Sequence, residues 1–390
     1  MHPRRLATIA GLVLAAAARL HPQAQAPSVD AALPAYKPAG PLKGQLTIAR
    51  LEPTEGFIAT WVKDFGRVYP DVKVAQTKEG TRVATDCLDA LLDGKVQLAP
   101  FVRDVQAPDF ANAKKKVGFE PLVVTMAGGS YAMNGNSHAL AIYVNAKNPL
   151  TRITLPQLDA IYSTTRKRGY PTDLTKWGQL GLTGEWADKP IHPYGMVSRR
   201  TEKLVLGKRV QSEVPSIPGV TFAFVDPVML RGEFKRTVTE LPDHPIPGAE
   251  TALGRKNNTV LADVVRAVAD DPYGIGYSGF PELVRQVGKL GGEKEYARAL
   301  PGTKTLAVAE TAAGPFSPGT YEDVLTRRYP LSRKIYIIAN RPPGQALDPV
   351  VREFLRYALS REGQKAVAED PQRFLPLPAA LAAEERAKLR

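Results

Sequence analysis

"QLTIARLEPTEGFIATWVKDFGRVYPDVKVAQTKEG", residues 45–80, carries two different periods in succession. Residues 45–51 alternate as a strand does, and from residue 54 onward Phe57, Ile58, Trp61, Phe65 and Val68 recur at helical spacing. A strand followed by a helix is predicted, and 71–80 reads as a second short strand and turn. Downstream, "TRVATDCLDALLDGK" (81–95) sets Val83, Cys87, Leu88, Leu91 and Leu92 on one helix face and closes at Gly94; "VQLAPFV" (96–102) returns as a strand. Strands alternating with helices of about ten to fifteen residues imply βαβ units, mainly parallel sheets and an α/β class.

The rest of the chain extends this plan. Residues 120–145 hold two long β-prone stretches around Asn134-Gly135, a strong turn signal, and such strands suit a crossing between two lobes. A helix is predicted from Thr154-Leu155-Pro156, with proline in its first turn. Residues 258–280 read as helix, turn and strand, and 329–340 as a β-rich segment. An amphipathic helix is predicted over 347–367 with Val350, Val351, Phe354, Leu355, Ala358 and Leu359 inward, then a fraying surface helix at 379–390. A chain of 390 residues with 44% hydrophobic and 23% charged composition is long enough for two lobes of ordinary size.

Arg4 and Arg5 precede the apolar run Leu6 to Ala18, and Ala24-Gln25-Ala26 offers small residues at a cleavage-like spacing, so residues 1–26 read as a secretory signal peptide. The run is too short to span a bilayer. No cysteine lies near that site to accept a lipid. The single cysteine, Cys87, reads as a small buried hydrophobe. Residues 27–44, rich in Pro and Ala without apolar periodicity, are expected as a flexible leader. The formal net charge is +13, and removing the leader with Arg4, Arg5 and Arg19 leaves about +10. The basic clusters are scattered and lack interleaved aromatics, which disfavours nucleic acid as a partner. A positive field of this kind favours small anions diffusing toward a cleft.

Catalytic chemistry finds little support. "GIGYSG" (274–279) matches a dinucleotide-type glycine spacing, yet it follows a helix and an Asp-Asp-Pro turn, so a short strand is the better reading. No nucleophile elbow, His-Glu-x-x-His or Cys/His cluster is present, and no enzyme, cofactor or metal is expected. A set of hydroxyl-bearing helix starts stands out instead: Thr54 before the first helix, Gly80-Thr81 before the second, and Ser198 to Thr201 before an expected third, in "YGMVSRRTEKLV" (194–205). A helix N-terminus offers unpaired N–H groups and the positive end of its dipole, so two or three such ends can hold an oxyanion without a metal. Arg103, at the end of a strand in "FVRDV", adds a guanidinium suited to paired oxygens.

Four longer segments carry a family resemblance: "ALAIYVNAKNPLTRITLPQLDAIYS", "KWGQLGLTGEW", "GIGYSGF" and "YPLSRKIYIIANRPPGQALDPVVREFLRYALSREGQKAV". With these, residues 45 to 378 resemble the phosphate-binding periplasmic substrate-binding proteins of ABC importers, a type II periplasmic-binding-protein fold. The resemblance implies two α/β lobes joined by crossing hinge strands: 45–140 in lobe 1, 141–284 in lobe 2 and 285–378 back in lobe 1, with 379–390 as a tail. It implies ligand capture by lobe closure. The implied ligand residues are Thr54, Gly80, Thr81, Arg103, Ser198, Arg199, Arg200 and Thr201. The ligand loops depart from the family. Val102 replaces the usual Ser before Arg103, Met196 stands where an Arg is usual, and the Gly of the third loop is missing. The expectation is a periplasmic or secreted monomer that binds a small oxyanion, phosphate first, and works with a membrane permease. The alternative is an exported interaction or sensor protein that kept the fold and lost small-molecule binding.

Overall fold

The computed structural model describes residues 27–81, 83–105, 107–130, 137–196, 202–205, 208–211, 219–241, 262–280 and 300–390. The alternating stretch forms β1 (Gly44–Leu51), which buries Leu46, Ile48 and Leu51. Pro53 lies in a 3-10 turn that leads into α1 (Glu55–Val68), and this helix buries Phe57, Ile58, Trp61 and Phe65. Then come β2 (Val72–Thr81), α2 (Ala84–Leu92), β3 (Leu98–Phe101), α3 (Ala107–Val117) and β4 (Leu122–Ser130). The first sheet is completed from the far end of the chain by β14 (Lys334–Ala339) and β15 (Phe374–Leu375), in the order β15-β4-β14-β3-β1-β2. β1 runs parallel to β2 and β3, whereas β14 is antiparallel to β3 and β4. Both faces of this sheet are covered. Trp61, Phe65, Ile337 and Phe354 pack on one face, and Leu51, Leu88, Phe101 and Ile338 on the other.

The second sheet has the order β10-β7-β11-β5-β12. Its strands are β5 (Leu140–Asn145), β7 (His192–Gly195), β10 (Thr239–Glu240), β11 (Gly274–Gly279) and β12 (Thr303–Thr305). Helices α4 (Leu155–Tyr162), α5 (Gly219–Met229), α6 (Ala262–Asp270) and α7 (Tyr321–Leu325) accompany it. The start of α4 is as predicted: Thr154 and Gln157 form a reciprocal capping box. "GIGYSG" is strand β11, with each of its residues buried. The second core gathers Ile142, Tyr162, Phe224 and Tyr277, and the Phe224 and Tyr277 rings stack with centroids 3.9 Å apart. Two small sheets lie beside these: β6 (Arg152–Thr154) with β13 (Ala307–Ala309), and the hairpin β8 (Glu202–Val205) with β9 (Lys208–Gln211). No helix among the described residues is long and apolar enough to cross a membrane.

Several expectations need correction. The chain does not return to lobe 1 at 285. β12 pairs with β5, β13 pairs with β6, and Leu306, Val308, Val324, Tyr329 and Leu331 belong to the second core, so the return falls at 331–334. Residues 27–44 are packed rather than flexible. Leu33 is fully buried, the Arg361 side chain donates to the carbonyls of Leu33 and Ala31, and the Tyr36 hydroxyl donates to Glu353 Oε1 at 2.6 Å. The tail forms α10 (Ala379–Ala387). This helix is docked by buried Ala382 and by Glu385, whose Oε2 accepts the Thr125 N–H. The helix predicted over 347–367 is two helices, α8 (Pro349–Ala358) and α9 (Arg361–Glu369), because Ser360 accepts the Gly363 N–H and starts a new cap. The turn at Asn134-Gly135 lies outside the described residues.

Candidate functional site

Two described passages join the sheets, one leaving β4 and reaching β5 through 137–140, the other running through 331–334 into β14. They lie side by side: the Gly129 N–H donates to Arg333 O at 3.0 Å and the Leu140 N–H to Leu331 O at 3.2 Å. Gly129 has to be glycine, since a Cβ there would stand 1.7 Å from Ser137 O. The end of β3 rests on this crossing, where Val102 O accepts from Ser137 Oγ at 3.1 Å and from Arg333 Nη2 at 3.3 Å. The segment 102–104 is therefore tied to the crossing between the two sheets.

The predicted ligand residues meet different fates. Thr54 is the N-cap residue of α1 and fully buried, but its hydroxyl donates to Leu51 O at 3.0 Å and caps no N–H of the helix. Gly80 does not open a turn: it lies within β2, paired with Arg50, and a Cβ there would make only ordinary contacts of 3.5 Å with the Arg50 side chain. Thr81 ends β2, its hydroxyl donating to Asp86 Oδ2 at 2.7 Å and accepting the Val83 N–H at 3.0 Å, while α2 starts only at Ala84. β1 and β2 are neighbours, so they bring the Thr54 and Thr81 segments to one edge of the first sheet. Arg103 is held by Asp109 through two bonds of 2.7 and 2.9 Å and lies 4.5 Å over the Phe101 ring. Ser198, Arg199, Arg200 and Thr201 lie outside the described residues.

The segment after Thr201 also departs from the expected helix. Residues 202–205 are strand β8, paired antiparallel with β9. Their apolar positions, Leu204, Val205 and Val210, flank a Leu-Gly pair at 206–207, the sequence of a short hairpin connection. The helix of this region is α5, which begins at Gly219. Near that start the buried Thr221 hydroxyl donates at 3.0 Å to Met196 O, just past β7, and the Tyr277 hydroxyl donates to the same carbonyl at 2.7 Å. Sequence reasoning passed over this start. Its signal is "PGVTFAFV" (218–225), a Pro-Gly step ahead of an apolar helical run.

Charge at this crossing is arranged around Asp104. Its Oδ1 accepts the Tyr336 hydroxyl, and its carboxylate bears on Arg327, Arg333 and Lys334. Burial lowers both guanidinium groups to about 10 despite that carboxylate, and lowers Lys334 as well. From the second lobe, Asp226 on α5 pairs with Arg231 at 3.1 Å. Its carboxyl is raised by burial, against the hydrogen bond and charge of Arg231 that lower it.

The start of α1 carries the opposite charge. Glu52 and Glu55 stand at its first turns, and Arg50 pairs with Glu55 at 2.6 Å. Asp370, buried, lies so close that a Cβ on Gly56 would stand 2.3 Å from its Oδ2. The first helix end is thus already occupied by carboxylates of the chain itself, which use the dipole an oxyanion would use. Among the described residues no cluster of three or more His, Cys, Asp or Glu side chains is placed to hold a metal.

A family model described as the PBP superfamily domain matches residues 35–362. Among curated proteins, the phosphate-binding protein PstS of Pseudomonas aeruginosa is 29% identical over 355 residues, covering 91% of this chain and 90% of that protein. Among solved structures, PstS from Borrelia burgdorferi is 16% identical with a TM-score of 0.47, covering 86% of this chain and 99% of that one. An ABC-type phosphate transport receptor from Vibrio cholerae is 17% identical with a TM-score of 0.43, covering 85% and 99%.

Proposed function

The chain belongs to the PBP superfamily, and on that premise we propose that it is an exported solute-binding protein that captures a small oxyanion, phosphate first, between its two lobes for an ABC importer. The family is one of binding proteins rather than catalysts, so the ligand is held and released unchanged. The observation that carries this reading is the full-length likeness to a phosphate-binding protein, 29% identity across 91% of the chain. Arg103 supports it, carried by segment 102–104 beside the crossing between the two sheets.

In this reading the ligand is held by Arg103, by backbone N–H groups near Thr54 and Gly80-Thr81, and by Ser198, Arg199, Arg200 and Thr201. The hydroxyls of Thr54 and Thr81 already donate within the chain, so their segments contribute through the backbone. The partner is a membrane permease touched by both lobes, and the protein works as a periplasmic monomer. Thermal unfolding of the ligand-stripped mature protein tests this. Phosphate at a hundred times its dissociation constant should add about 2.7 kcal/mol of stability, and Arg103→Ala should reduce that gain.

A second reading is favoured by one observation, the carboxylates that surround the start of α1. If phosphate, sulfate and other oxyanions all leave the transition unmoved, the protein is an exported interaction or sensor protein on a binding-protein fold.

A further inference from the structure

Between the pairs Ile48–Gln76 and Arg50–Gly80, Ala49 alone in β1 faces Thr77, Lys78 and Glu79 in β2, so this strand carries a bulge just before the Gly80-Thr81 segment. Arg50 is seated on that bulge. Its N–H donates to Thr77 Oγ1 at 3.0 Å, the Thr77 hydroxyl donates to Glu79 O at 2.9 Å, and Arg50 Nη1 donates to Lys78 O at 3.0 Å. The side chain runs across Gly80, where a Cβ would stand 3.5 Å from its Cγ, Cδ and Nε. So held, the guanidinium turns its Nη2 to Glu55 Oε1 at 2.6 Å, in the first turn of α1. Gln76, the residue before the bulge, adds a second tie by donating from Nε2 to Glu55 O at 3.4 Å.

This pair does little for stability. The Arg50 and Glu55 side chains keep 37% and 32% of their surface exposed, and ion pairs at such exposure contribute little to folding. What the pair changes is the charge met at the start of α1. Glu55 follows Thr54, whose hydroxyl caps no N–H of the helix, and a bare carboxylate in that turn would use the positive helix end and repel an incoming anion. Arg50 offsets that charge at contact distance. One guanidinium thereby links the start of α1 with the strand end at Gly80-Thr81, the two segments through which the first lobe is proposed to hold its ligand.

We propose that Arg50 is a positioning residue of the oxyanion site, which acts through Glu55: seated on the β2 bulge, it holds the Glu55 carboxylate and removes its repulsion from the start of α1. This rests on the oxyanion reading and adds to it a residue outside the expected ligand set that need not touch the ligand itself.

Calorimetric titration of inorganic phosphate and of sulfate into ligand-stripped wild type, Arg50→Gln, Arg50→Lys, Glu55→Gln and the double variant Arg50→Gln/Glu55→Gln, at low and high sodium chloride, tests the assignment. Arg50→Gln should weaken phosphate about tenfold at low salt, the order expected of one uncompensated charge beside a partly exposed site. The loss should shrink at high salt, where the repulsion is screened. Arg50→Lys keeps the charge and should lose less, Glu55→Gln should bind at least as well as wild type, and the double variant should recover most of the loss. A merely structural Arg50 would give neither the recovery nor the salt dependence. Ligand-free melting temperatures should stay near that of wild type. Wild-type affinity in Arg50→Gln overturns the assignment while the oxyanion reading stands. A loss that the added Glu55→Gln does not relieve overturns it too, as does weaker phosphate binding in Glu55→Gln alone. Wild type that binds neither anion overturns both the assignment and the oxyanion reading.

Discussion

Asp370 shows how one side chain changes what a helix start can do. Its Oδ1 accepts the Gln372 N–H at 2.8 Å, and its Oδ2 is buried against Gly56 at the start of α1. Burial, the largest effect, raises its carboxyl above the ordinary range, and the Gln372 and Phe57 N–H groups draw it back only in part. Linkage fixes the sign. The folded chain binds this proton more tightly than the unfolded chain, so the group is least costly below the unfolded pKa. The cost grows as pH rises through the raised value and is complete above it. Asp370→Asn keeps the Oδ1 acceptor and removes the charge. It should therefore be more stable than wild type at pH 7. The difference should vanish at pH values below the ordinary carboxylate range. Denaturant unfolding of both proteins across pH checks this, and a variant less stable than wild type at pH 7 contradicts it.

Elements were legible where local chemistry and tertiary packing agree. Residues 45–68 declare a strand and a helix because each apolar residue of the pattern but Val68 is buried, and Thr154 with Gln157 declares a helix start. They were illegible where a local signal has two readings. Thr201-Glu202-Lys203 has the composition of a capped first turn, yet Glu202–Val205 pairs antiparallel with Lys208–Gln211. The Pro-rich stretch 27–44 has no period of its own and is ordered by distant partners, Glu353 and Arg361. At 359–360 an amphipathic run continues through a break that only Ser360 and Gly363 mark.

Glycine makes the difference between helices measurable. Gly363 in α9 would place a Cβ 2.3 Å from Tyr357 O and 2.5 Å from Ala358 O, and its own carbonyl accepts the Trp61 indole N–H at 2.7 Å. Gly363→Ala should cost about 1–3 kcal/mol or more, as overpacking against backbone does. Gly66 in α1 meets nothing closer than Val74 Cγ1 at 3.7 Å, so Gly66→Ala should stabilise by roughly 0.5–1 kcal/mol through helix propensity. Paired thermal melts read both signs, and equal effects of the two substitutions would contradict the packing described for α9.

The molecule as a whole is two sheets, each clad by helices, with the end of β3 seated where the chain crosses between them. The βαβ plan of the first lobe was readable from period alone. The composition of the cleft was not, because pairing decides it: Arg103 is spent on Asp109, Thr81 on Asp86, and the start of α1 on Asp370. A net charge of +13 gives the chain a field that attracts anions. Equilibrium dialysis of ligand-stripped protein against radiolabelled inorganic phosphate asks directly whether the lobes enclose an oxyanion. One phosphate retained per chain is the expected result, and a chain that retains none at any phosphate concentration would contradict it.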